Sequence, residues 1–247
     1  MTTLTLDRDD VRLGAVVWIA LLSEVRDAVP TLEPLLDVRE RDRAARFRFD
    51  DDRARFTLGR GLARRALGAW LDRAPEAVEL ALTATGRPVV AGEPALHFSI
   101  SHTRDVVALA LAHGARVGID FEMVAPSIDL PALAGRVLSG EELLRFRGLD
   151  RHEAVTAFYR AWTRKEAYLK ALGEGIAEGL ARVSVGFEPV QIAGLIDTRD
   201  LEASRPWRLH ELALVKGYLG ALACEDPARR PRCTAVGWRD GRIVTKM

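Results

Sequence analysis

Apolar and polar positions follow two rhythms along the chain. Residues 15–22 form an unbroken apolar run, the pattern of a buried strand. Residues 39–49 are charged at helical spacing. From residue 52 to 71, Phe56, Leu58, Leu62, Ala66, Leu67 and Trp70 mark the apolar positions of a longer helix. Thr85-Gly86-Arg87-Pro88 predicts a turn, and residues 97–102 and 106–112 read as two strands joined across Thr103-Arg104-Asp105. Residues 117–123 form a further strand. Ser139-Gly140-Glu141-Glu142 has the spacing of a capping box at a helix start. Residues 154–172 predict a long helix stopped by Gly173. Residues 207–214 and 220–224 predict a hairpin turning at Lys216-Gly217.

The order strand, helices, hairpin thus occurs twice, with a period near half of the 247 residues. Setting Phe56 against Phe158 also places Leu67 against Leu169. The expected fold is α+β: a pseudo-twofold duplication of two α/β halves, residues 1–113 and 114–247, with a ligand cleft between them. No low-complexity stretch or linker divides the halves.

Composition narrows the function classes. A chain 48% hydrophobic and 29% charged is that of a soluble globular protein. A net charge of +1 gives no global reason for nucleic acid or a membrane as partner, so any phosphate recognition must be local. No apolar run approaches the roughly 20 residues of a membrane span. Asp7, Asp9 and Asp10 stand where a signal peptide would place basic and then apolar residues. Cys224 and Cys233 read as reduced thiols of a cytoplasmic protein rather than zinc ligands. Lysine occurs only at 165, 170, 216 and 246 in an otherwise arginine-rich chain. The close pair Lys165 and Lys170 is either chance or a demand for a compact ammonium.

Three stretches hold candidate chemistry. Along 117–123, Val117, Ile119, Phe121 and Met123 share one strand face, while Asp120 and Glu122 share the other. Two carboxylates about 7 Å apart on one face repel unless water or a cation intervenes. A solvated outer face and a hard-metal site are both open. Phe158, Trp162, Glu166 and Lys170 recur every four residues. Inward aromatics carry Glu166 toward the interior, where a carboxylate needs a partner charge or a metal. The other reading is an exposed Glu166–Lys170 pair at (i, i+4). Arg164 is expected on a neighbouring helix face, where exchange for lysine is silent. His102, beside Ser99 and Ser101, has a structural and a functional reading. There is no GxSxG elbow, GxGxxG or GxxxxGK[ST] loop.

Phe98-Ser99-Ile100-Ser101-His102, Val117-Gly118-Ile119-Asp120-Phe121-Glu122 and residues 158–170 together resemble the Sfp-type 4'-phosphopantetheinyl transferases. The third stretch carries that family's W-x-x-K-E-A-x-x-K signature, in the W-K-E-A form similar to the branch with broad carrier use. Weaker similarity runs over residues 39–88, and the C-terminal region matches poorly. The resemblance implies a pseudo-twofold, usually monomeric enzyme with coenzyme A in the cleft. It implies transfer of the 4'-phosphopantetheine arm of coenzyme A to a serine of an apo acyl or peptidyl carrier protein, releasing adenosine 3',5'-bisphosphate. Carried onto this chain, Asp120, Glu122 and Glu166 become ligands of Mg²⁺ (or Mn²⁺). Glu166 becomes the base for the carrier serine, directly or through water. Lys170 becomes a phosphate contact that Lys165 supports. Gly86, Arg87, Ser101 and His102 become coenzyme A contacts, and Arg43 pairs with the 3'-phosphate. Glu40 departs from the pattern, since some relatives carry lysine there. A coenzyme A-binding sensor or scaffold without catalysis is the alternative; the acidic triad and Lys170 count against it. A metal-dependent phosphodiesterase would deliver the arm to water. Fatty acid, polyketide and peptide carriers all remain open.

Overall fold

Each apolar run read above becomes a strand with a helix laid against it. The computed structural model describes residues 6–174, 179–190, 192–200, 206–226, 228–239 and 242–246. The helices are α1 (Arg8–Leu13), α2 (Leu22–Val25), α3 (Val29–Leu32), α4 (Val38–Ala45), α5 (Asp50–Leu71), α6 (Leu130–Val137), α7 (Gly140–Phe146) and α8 (Arg151–Leu172). The strands are β1 (Ala15–Leu21), β2 (Leu80–Leu82), β3 (Pro88–Val90), β4 (Leu96–Thr103), β5 (Val106–His113), β6 (Val117–Met123), β7 (Val183–Val185), β8 (Ile192–Ala193), β9 (Leu195–Asp197), β10 (Arg208–Glu211), β11 (Tyr218–Cys224), β12 (Pro231–Arg239) and β13 (Arg242–Lys246). No helix of the described residues is long and apolar enough to cross a membrane.

The chain forms two compact units, each α+β. In the first, the sheet order is β13-β12-β1-β5-β4, and α5 packs on β4 and β5. Trp18, Leu58, Leu62, Ala66, Val107 and Leu109 are among its core residues. In the second, the order is β6-β11-β10-β8, and α8 packs on β6 and β11. Phe158, Ala161, Leu169, Trp207, Leu209 and Ala221 belong to its core. Each unit runs strand, 22-residue helix, hairpin, and in each the first strand pairs antiparallel with the hairpin's second arm.

The division differs from residues 1–113 and 114–247 at three places, the smallest being Gly114, which groups with the first unit. Residues 230–247 group with the first unit, because β12 pairs in parallel with β1, Ala15 opposite Pro231 and Ala20 opposite Val236. That pairing satisfies a β1 edge that would otherwise expose backbone donors and acceptors. Residues 84–87 group with the second unit.

The two long helices also begin earlier than their apolar spacing predicts. Asp50, Asp51 and Asp52 fill the first turn of α5, where carboxylates meet the positive end of the helix dipole. Asp150 caps α8 by accepting from Glu153 N at 2.9 Å, the same capping box that Ser139 and Glu142 form at α7. Gly173, at φ 78°, closes α8 in the left-handed conformation that glycine adopts freely.

Helix α8 lies against β6 with backbone touching backbone. A Cβ on Gly118 would stand 2.0 Å from Ala167 O and 2.5 Å from Ala171 N. Gly118 shares its strand face with Asp120 and Glu122, so those carboxylates face the helix. The other side of α8 is held by Arg164, which is 0% exposed. Its guanidinium donates to Gly186 O, to Glu188 O (3.2 Å), to Val190 O (3.0 Å) and to Glu211 Oε2 (2.9 Å). Arg164 is therefore not on a permissive face, contrary to the expectation from spacing. One guanidinium serves three carbonyls and a carboxylate, and burial lowers its pKa to about 10 while Glu211 opposes that shift.

Two stability predictions follow. Gly118→Ala should lower stability by about 3 kcal/mol, because the clash is with backbone that cannot step aside, whereas Gly140→Ala, with open space around it, should be neutral in the same urea melts. Arg164→Lys should lower stability by about 2–4 kcal/mol, since an ammonium cannot reach all four acceptors. A silent Arg164→Lys melt would remove this pin.

Candidate active site

The second unit brings four sequence-selected residues together. Asp120 is 2% exposed on β6, and Glu122 follows it on the same face, part-buried. Glu166 on α8 is 5% exposed, which removes the reading of an outer-face ion pair. Lys170, one turn on, places Nζ 2.5 Å from Asp120 Oδ1 and 3.9 Å from Glu166 Oε2. Trp162, read from sequence only as an inward aromatic, donates its indole N–H to Glu166 Oε1 at 2.8 Å. Its spacing of four from Glu166 was the available signal. Phe158 supports the indole edge-on, with ring centroids 5.4 Å apart. Tyr159 also lies close enough to feel Glu122. Burial raises its phenol pKa, the Ala125 backbone opposes that shift, and Glu122 adds to it.

The electrostatics follow from one ammonium among three carboxylates. Burial pushes the Glu166 carboxyl up to about 7, and the charge of Asp120 pushes the same way; Lys170 and the Trp162 hydrogen bond pull down. For Lys170, burial works against the ammonium, but Asp120 and Glu166 outweigh it and the pKa is raised. Among the described residues no three His, Cys, Asp or Glu side chains are gathered tightly enough to hold a metal ion as they stand. The donor chemistry nevertheless suits Mg²⁺, which takes hard oxygen ligands and a few carboxylates.

Lys165 does not join this cluster. It is 0% exposed, and its ammonium donates to Glu142 Oε2 (2.5 Å), Val137 O (2.7 Å) and Leu180 O (3.0 Å). About 100° per residue separates its direction from that of Glu166, so it faces α6 and α7. Burial lowers its pKa against the pull of Glu142. The expected supporting role at phosphate becomes a structural one.

The remaining candidates divide between the units. Gly86, at φ 80°, and Arg87 belong to the second, where Arg87 Nη1 donates to Ala171 O at 2.7 Å. Ser101 (buried) and His102 (exposed) lie on β4 of the first, opposite Ala108 and Val107. Arg43 is exposed on α4, its guanidinium 5.4 Å from the Phe56 ring centre. With Arg39, Asp42, Arg46 and Phe47 it lines a hollow of about 550 Å³. Glu40 is buried and accepts from Arg64 Nε at 2.7 Å while completing the Asp37 capping box. A lysine there would leave Arg64 with Asp37, 3.2 Å away, as its carboxylate partner.

The Glu166 shift has a measurable consequence. Its folded pKa of about 7 lies above the ordinary 4.5, so holding the proton stabilises the fold fully below pH 4.5 and ceases to do so as pH rises through 7. In chelator, Glu166→Gln should match the wild type at pH 4.5 and exceed it by roughly 2–3 kcal/mol at pH 8 in denaturant melts. Equal differences at both pH values would contradict the buried-carboxyl account.

Comparison with known proteins identifies the family. Residues 18–114 match the family described as 4'-phosphopantetheinyl transferase, N-terminal, and residues 116–223 match the 4'-phosphopantetheinyl transferase superfamily. The boundary between the two matches falls between β5 and β6. The chain is 34% identical over 232 residues to 4'-phosphopantetheinyl transferase HetI of Nostoc sp., covering 93% of each chain. It is 37% identical over 158 residues to 4'-phosphopantetheinyl transferase psf-1 of Bacillus pumilus, covering 63% of this chain and 66% of that one. Identity to the human L-aminoadipate-semialdehyde dehydrogenase-phosphopantetheinyl transferase is 27% over 227 residues, 85% of this chain and 72% of that one. With both segments matched and a relative aligned nearly end to end, the chain belongs to the 4'-phosphopantetheinyl transferase superfamily.

Proposed function

We propose that this protein transfers the 4'-phosphopantetheine arm of coenzyme A to a serine of an apo acyl or peptidyl carrier protein, releasing adenosine 3',5'-bisphosphate, and that it is of the Sfp type. The observation that carries the reading is the cluster that Glu166 and Lys170, on the W-x-x-K-E-A-x-x-K helix, make with Asp120 on β6, where Gly118 lets the helix press against the strand.

The chain's own groups suit the chemistry. The serine Oγ forms a bond to the β-phosphorus while the bond from that phosphorus to the bridging oxygen breaks, and its electron pair leaves with the bisphosphate. Glu166, buried beside the site, is the group placed to take the serine proton, directly or through water. Lys170 is a compact cation for the phosphate oxygens as charge develops. Asp120, Glu122 and Glu166 would hold Mg²⁺ or Mn²⁺, which supplies charge neutralisation at the pyrophosphate. Arg43, in its arginine-lined hollow, is assigned to the 3'-phosphate, and Gly86, Ser101 and His102 to the rest of coenzyme A.

The deciding experiment incubates the purified protein with coenzyme A, Mg²⁺ and apo carriers of the fatty acid, polyketide and peptide types, read by intact mass. A carrier gaining one phosphopantetheine group is the expected result, abolished by chelator and restored by Mg²⁺ or Mn²⁺. Coenzyme A bound without transfer to any carrier would favour the inactive sensor, and free phosphopantetheine a phosphodiesterase. Lys170→Arg should lower turnover at least tenfold with the fold intact, because a wider, planar cation misplaces its charge. Arg43→Ala should weaken coenzyme A far more than 3'-dephospho-coenzyme A; equal weakening would remove Arg43 from the phosphate.

A further inference from the structure

We infer that Thr85 and Arg87 are positioning residues for Lys170: the turn at residues 84–87 closes the C-terminal end of α8 and so fixes the helical turn that carries the lysine. The inference rests on the transfer reading for what Lys170 does. It departs from what the family resemblance implies for Arg87, moving it from a coenzyme A contact to a brace.

The last carbonyls of a helix have no partner within it. At the end of α8 they are met in two ways. Leu169 O accepts from Glu174 N at 3.0 Å, and Lys170 O from Gly173 N at 3.1 Å, both within the helix's own closing turn. Ala171 O accepts from Arg87 Nη1 at 2.7 Å, and Gly173 O from Thr85 Oγ1 at 2.7 Å. Those two donors lie 84 and 88 residues upstream, so α8 is finished by a distant part of the chain. Their four-residue turn groups with the second unit while the chain on both sides of it groups with the first.

Two glycines are consistent with a built brace. A Cβ on Gly173 would stand 3.2 Å from Arg87 Cδ, so the residue that ends the helix also leaves room for the arginine stem. Gly86 has open space around it, yet sits at φ 80°; its role there is backbone conformation, the left-handed bend between Thr85 and Arg87. A guanidinium at a helix C-terminus also meets the negative end of the dipole.

Lys170 is the third residue from the end of α8, within the turn that frays most readily. Its contact with Asp120 is made at the end of a flexible four-carbon stem, so the stem's origin must be held by the backbone. A shift of about 1 Å at a reacting group costs on the order of a hundredfold in rate. Loss of part of the brace should therefore cost about tenfold.

The test uses the full-length protein and the variants Arg87→Met, Arg87→Lys and Thr85→Val. In the absence of coenzyme A and metal, amide hydrogen exchange at Gly173 and Glu174 should accelerate about tenfold in Arg87→Met and less in Thr85→Val. Turnover at saturating coenzyme A should fall about tenfold in Arg87→Met, with KM for coenzyme A within about twofold of wild type, and Arg87→Lys should recover part of both losses. Unchanged exchange with a raised KM would make Arg87 a coenzyme A contact and overturn the inference. Faster exchange with normal turnover would overturn it too, leaving a cap without bearing on the reaction. The milder Thr85→Val reports the same exchange should Arg87→Met fail to fold. If the wild type itself transfers nothing, the transfer reading fails, while the exchange arm still decides whether this turn holds the Lys170 segment.

Discussion

The second unit depends on one close contact, the approach of α8 to β6 at Gly118. With a side chain at that position the helix would stand off from the strand, and Glu166 and Lys170 would lose their reach to Asp120. The contact also explains why two carboxylates on β6 end under a helix and not in water. Burial then makes like charges expensive, and the compensations are Lys170 beside Asp120, the Trp162 indole on Glu166, and a Glu166 carboxyl that titrates near neutrality. Of the three carboxylates, Glu166 is the one whose ionisation burial and the neighbouring Asp120 charge oppose.

Between residues 160 and 170, α8 carries four basic side chains that point to different surroundings. Arg160 and Arg164 both reach Glu211, and both also bond the loop of residues 186–190. Lys165 is enclosed by Glu142 and two carbonyls, and Lys170 meets Asp120. Chemically similar residues within ten positions are thus divided between mechanical and chemical roles by direction alone. The arginines tie many acceptors at once, as a planar fork can; the lysines each serve one compact pocket.

In the first unit the charged side of α4 behaves likewise. Glu40 is drawn inward by Arg64, which also donates to Val78 O at 2.8 Å, while Arg39, Arg43 and Arg46 remain around an open hollow. Neighbouring positions on one short helix separate into an internal ion pair and an outward basic surface. The number of cations facing that hollow is set by which acid neutralises which arginine inside.

Much of this was legible in one dimension. Periodicity located β1, the β4–β5 hairpin, β6, α5 and α8, because burying apolar surface on a pleated or helical backbone leaves period 2 or 3.6 in the chain. Spacing of four placed Glu166 and Lys170 on one stripe, and the signature of residues 158–170 pointed to the chemistry. The partner of each charge was not legible. Arg164 and Lys165 sit beside the site residues in sequence, yet their partners, Glu188 and Val190 for one and Val137 and Leu180 for the other, come from loops and helix ends far along the chain. The parallel pairing of β12 with β1, the closing of α8 by residues 85 and 87, and the inward turn of Glu40 are likewise long-range. Local pattern determines which side chains share a face; only packing decides what that face meets, because burial and partner charge are properties of the neighbours in space.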